Sequence, residues 1–106
     1  MNLELNFIRN NNFNIGEKLF KNGGIEAARY NYELALLGFL SAIKAKDNHL
    51  FGHFYTSIIY RRFGDVSKAE HHESLAILAS EDVYWTTWLE IFPEFKTKVL
   101  DLRNQL

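Results

Sequence analysis

Apolar residues recur along this chain at three- and four-residue steps almost everywhere, and Val, Ile and Thr nowhere alternate with polar residues over a useful length. A helical period without a strand period predicts an all-α fold. The breaks are few: a Gly23-Gly24 pair, a Gly64-Asp65 pair and a single proline, Pro93. They predict helices over about Asn6 to Asn22, Ile25 to Lys46, Asn48 to Phe63 and Val66 to Ala79. A short helix capped by Ser80 then runs to about Ile91, and a final helix has Pro93 at its first position. Six asparagines between Asn2 and Asn14 predict a frayed start, because Asn competes for its own backbone. Gly23 or Gly24 suits the left-handed conformation that ends a helix. Asp65 or Ser67 suits a cap, and Ser67 with Glu70 has capping-box spacing. Turns this short fold successive helices back as antiparallel hairpins. The expected organisation is one domain: a hairpin over about 6–46, a second over about 47–79, and a C-terminal cap over about 80–106.

Ala28, Tyr32, Ala35, Phe39 and Ala42 form a seam of alternating small and large side chains at steps of four, three, four and three. Aligning the two glycine turns places Gly23 on Gly64, Ala28 on Ala69, Ala35 on Ala76, Gly16 on Ser57 and Leu19 on Tyr60. Over about Asn10 to Ala79 this register resembles the tetratricopeptide repeat family, a helix-turn-helix unit of about 34 residues. The first unit carries Gly16, Leu19, Gly23, Ala28, Tyr32 and Ala35, with Asn12 where the family has Trp and Leu40 in place of its closing Pro. The second keeps Ser57, Tyr60, Gly64, Ala69 and Ala76, with His53, Thr56 and Glu73 at places that are usually apolar. The turns lie seven residues further apart than the family period, which lengthens a helix by two turns without rotating its buried face. The resemblance implies a right-handed superhelical stack whose first helices line a peptide-holding groove, here Phe13, Glu17, Phe20, Phe54, Ile58 and Arg61. Phe13 and Glu17 stand at the places where the family's chaperone-tail clamps need Lys and Asn, so an apolar or amphipathic helix is the expected ligand.

Charge and composition narrow the function classes. The 106 residues are 47% hydrophobic and 24% charged, as in an ordinary globular domain, and the net charge of -1 gives no basic field for nucleic acid or anionic lipid. Without cysteine there is no disulfide, thiolate metal site or thiol nucleophile. The start, MNLELNFIRNNNFN, lacks the basic flank and apolar stretch of a secretion signal, so a cytoplasmic protein is expected. The most apolar run, Leu34 to Ile43, is shorter than the roughly 20 residues a membrane helix needs. Leu36, Leu40 and Ile43 form an apolar line beyond the seam and predict a homodimer interface. The alternative is that the C-terminal helices, with Trp85 and Trp88, cover that line. The last helix carries its own stripe: Phe92, Phe95, Val99 and Leu100.

Candidate chemistry is sparse. His49 and His53 sit one helical turn apart, and Glu70-His71-His72-Glu73 would add ligands that zinc or nickel accepts if the groups met in space. The expectation is solvated surface histidines, with no metal and no cofactor. No nucleophile-base pair is evident, so no catalytic residue is named and no enzyme is expected. Arg61-Arg62 suits a phosphate or carboxylate contact, or an exposed basic pair at a helix C-terminus. The leading expectation is a non-enzymatic protein-protein interaction module. A self-assembling structural or regulatory homo-oligomer is the alternative, and a small RNA-binding protein the least favoured.

Overall fold

The computed structural model describes residues 11–105, which form five α-helices and, among these residues, no strand. They are α1 (Asn11–Ala45), α2 (Leu50–Arg62), α3 (Val66–Ala79), α4 (Val83–Ile91) and α5 (Pro93–Gln105). The expected helix start at Asn6 lies outside the described residues.

Helix α1 is two helices in one run. Gly24, at φ 78 and ψ -169, interrupts it and turns the chain back, giving a first arm over 11–23 and a second over 25–45. Only a residue without a Cβ adopts that backbone readily. Gly64, at φ 83, does the same between α2 and α3. Gly24 rather than Gly23 is therefore the left-handed partner of Gly64, and the second turn spends one extra residue, Asp65, as an N-cap whose side chain accepts from the Lys68 N–H at 3.2 Å. Asp65 takes the cap from Ser67, which is exposed. Ser80, expected to open α4, instead closes α3: its hydroxyl donates to the Ile77 carbonyl at 2.6 Å. Asp82 caps α4, accepting from the Tyr84 N–H at 2.8 Å. Pro93 opens α5 as predicted.

The two arms of α1 meet where Gly16 lets the Tyr32 ring in: a Cβ on Gly16 would lie 2.8 Å from the ring. All five seam residues are buried, as are Ser57 on α2 and Ala69 and Ala76 on α3. One aromatic core runs through the molecule. Phe13 meets the Tyr55 edge at 4.8 Å, Phe39 stacks on Tyr55 at 5.0 Å, and Phe51 meets Trp85 at 5.7 Å. Trp85 of α4 is fully buried and packs on the start of α2, against His49 and Phe51. Among the described residues no helix is long and apolar enough to cross a membrane.

Leu36, Leu40 and Ile43 are half-buried. Leu36 packs on the core and Ile43 packs on Gly52, at the start of α2. The open apolar face of this arm lies elsewhere, at Tyr30 (69% exposed), Leu34 and Leu37 (66% exposed).

Candidate helix-binding face

The residues assigned to a groove fall into two sets. Phe13 and Phe54 are buried in the core and meet no solvent-facing cleft. Glu17, Phe20, Ile58 and Arg61 remain at least partly accessible. Phe13 is enclosed by Tyr32, Phe39 and Tyr55, whereas Phe54 is covered by α5, which the chain folds back over α2. Phe95 reaches Phe51 at 5.3 Å, Tyr55 at 6.1 Å and Phe54 at 6.5 Å. Phe95 and Val99 are buried, Phe92 and Leu102 are partly buried against the same core, and Leu100 is 45% exposed. The docked stripe is thus Phe92, Phe95, Val99 and Leu102, at steps of three, four and three. Leu102, not Leu100, completes it. The polar side chains Lys96, Thr97, Lys98 and Asp101 are exposed.

Beyond α5 the same side of the molecule continues into an ionic network. Glu17 on the first arm accepts both guanidinium hydrogen bonds of Arg62 from α2, at 3.1 and 3.0 Å, and also accepts from the Tyr32 hydroxyl. Burial would raise the Glu17 pKa, but the Arg62 and Tyr32 bonds outweigh it and hold the carboxyl below its usual range, with Lys98 of α5 adding to the pull. Burial, and then the Glu17 charge, push Tyr32 well above an ordinary phenol. The Arg62 guanidinium also lies over the Phe20 ring, 4.7 Å from its centre. Glu17, Lys18, Phe20, Lys21 and Arg62 line an open hollow.

Arg61 is not the free basic residue of a helix end. It grips Glu73 of α3 through two bonds, one of them Nη2 to Oε2 at 3.0 Å, and Glu73 is only 2% exposed. A carboxylate this buried is tolerated because the Arg61 guanidinium is paired with it. Of the two expectations for Arg61-Arg62 the carboxylate contact is the one found, but the sequence does not name the partners, because Glu73 and Glu17 lie 12 and 45 residues away.

Of the four histidines expected on the solvated surface, only His71 is exposed. His49 is 4% exposed and caps α2, its Nδ1 accepting from the Gly52 N–H at 2.9 Å. His53 is 2% exposed, with Nε2 2.6 Å from the Asp47 carbonyl. A carbonyl only accepts, so Nε2 carries the proton and Nδ1 of the neutral ring is an acceptor. His72 Nδ1, 2.9 Å away, is then the donor. His72 also stacks on Tyr60 at 5.7 Å. Burial lowers both pKa values, His72 to about 4 with further repulsion from His53 and His71. The two rings spend their nearest nitrogens on each other, and among the described residues no three His, Asp or Glu side chains are gathered to hold a metal.

No family model, no curated protein and no solved structure matches this chain.

Proposed function

We propose that the protein is a non-enzymatic protein-protein interaction module, built of tetratricopeptide-like hairpins, whose α2 face binds an amphipathic helix. The observation that carries this reading is α5 itself. It occupies the face through anchors at the three- and four-residue spacing by which amphipathic helices enter apolar grooves, with its polar residues outward. An outside helix with the same spacing of large apolar residues would take the place of α5, with Phe51, Phe54 and Tyr55 as its floor and the Glu17-Arg62 network at its rim. The repeat register of Gly16, Ala28, Ala69 and Ala76 supports the family resemblance by which a helix face of this kind serves as a binding surface.

Native-state hydrogen exchange on the whole protein tests it. The amides of α5 are expected to exchange by a local opening of lower free energy than that of α2, and a labelled peptide of residues 90–106 is expected to bind a Phe95→Ala variant more tightly than the parent. If α5 exchanges only with global unfolding and the peptide binds neither form, the face does not open and the reading fails. Adding Phe54→Ala to the Phe95→Ala variant should abolish the peptide binding expected of it.

A homodimer is the second reading, favoured by the exposed Tyr30, Leu34 and Leu37 on the second arm of α1.

A further inference from the structure

The second arm of α1 carries two apolar faces. The seam from Ala28 to Ala42 faces the core. On the opposite side, Ala27, Tyr30, Leu34, Leu37, Ser41 and Lys44 follow one another at steps of three, four, three, four and three, and all six are exposed. That is the spacing of the first and fourth positions of a heptad, the seam by which two helices pair side by side. An exposed Leu in isolation is ordinary, but a heptad stripe opposite a complete core face is not.

The stripe is complementary to itself in one direction only. Placed antiparallel on a second copy about a two-fold axis between Leu34 and Leu37, each Leu34 meets the Leu37 of the other copy. Each Tyr30 then meets Ser41, and each Ala27 meets Lys44. Leucine meets leucine at the centre, and in the flanking pairs a large residue faces a small one. Ser41 can be covered without stranding a donor, because its hydroxyl already donates to the Leu37 carbonyl of its own helix at 2.8 Å. Gly38, beside the stripe, has open space where a Cβ would stand, so the helices can approach closely. The same register brings Glu26, at the edge of the stripe, beside Lys44 of the other copy, and symmetry makes that ion pair twice. A parallel arrangement would place Glu26 by Glu26 and Lys44 by Lys44.

We infer that this face, Ala27 to Lys44, joins two copies of the chain in an antiparallel helix pair. The inference deepens the second reading above, and it is independent of the α2 face, which lies on the other side of α1, so either can fail without the other. The stripe spans about 27 Å of helix, which places the contact at the small end of specific interfaces.

Light scattering on the whole protein at increasing concentration tests it. The mass should rise from 12.4 kDa toward twice that value. Leu37→Glu, at a position exposed in the single chain, should leave a monomer of unchanged helicity. Glu26→Lys sets like charges side by side at both ends of the pair and should weaken dimerisation about tenfold, and adding Lys44→Glu should restore it. A monomeric mass at 0.1 mM or a dimer indifferent to Leu37→Glu overturns the proposal. So does a dimer that the double charge exchange does not restore.

Discussion

Replacing Gly16 by Ala puts a methyl group where Tyr32 already stands. The added Cβ would lie 2.8 Å from one ring carbon and 2.9 Å from the next, closer than real Cβ contacts come. Tyr32 has no room to yield, since it is fully buried and its hydroxyl is held by Glu17. Overpacking of this kind costs about 1–3 kcal/mol. Against it stands a gain of about 1 kcal/mol, because Ala is the better residue inside a helix. The net expectation is a loss of about 0–2 kcal/mol. Gly38 supplies the control: it also lies in α1, and a Cβ there meets nothing within 4 Å. Gly38→Ala should keep the whole propensity gain, about 1 kcal/mol, or about 4–8 °C in melting temperature for a domain of this size. Thermal and urea melts of the two variants, at the lowest workable concentration so that self-association does not contribute, should therefore differ by about 1–3 kcal/mol. If Gly16→Ala stabilises as much as Gly38→Ala does, the two arms of α1 do not meet at Gly16 and the hairpin packing is wrong.

Acid should weaken the fold through the histidine pair. The His72 pKa falls from an ordinary 6.5 to about 4 on folding, and that of His53 is lowered too, so the unfolded chain binds more protons; stability is complete above pH 6.5 and declines as pH falls toward 4. Urea midpoints between pH 7 and 4 should fall less steeply for His72→Phe than for the parent. Arg61→Ala leaves Glu73 buried without its cation and should cost about 3 kcal/mol, at the lower limit for buried pairs because the arginine side chain is 44% exposed. Adding Glu73→Gln should recover part of that loss. Arg62→Ala uncovers a more accessible acid, Glu17, and should cost about 1 kcal/mol in the same urea assay.

Much of the helix pattern was legible because local chemistry decides it. The bounds of α3, the opening of α5 at Pro93 and the burial of the Ala28-to-Ala42 seam follow from turn residues and a 3.6-residue period. The choice between Gly23 and Gly24, or between Ser67 and Asp65, turns on backbone geometry that a residue type does not specify. The candidate face was half legible. Phe13 and Phe54 stood out as aromatics on a helix face, but periodicity cannot say whether such a ring meets solvent or, as here, another helix of the same chain. The burial of His49 and His53 was hidden for a related reason: an imidazole enters a core when a carbonyl such as that of Asp47, or an N–H such as that of Gly52, happens to reach it. Those partners are visible only once the chain is folded.

Arg61 and Arg62 are neighbours in sequence, yet one holds α3 and the other holds α1. Successive residues of a helix point about 100° apart, so this dipeptide reads the rotation of α2 against both flanking helices at once. Turn α2 by a single residue and each guanidinium points away from its carboxylate, leaving two pairs broken rather than one. The dipeptide therefore acts as a register key: it contributes less to overall stability than the aromatic core does, but it separates the native seating of α2 from the neighbouring ones that an apolar helix could otherwise adopt at small cost.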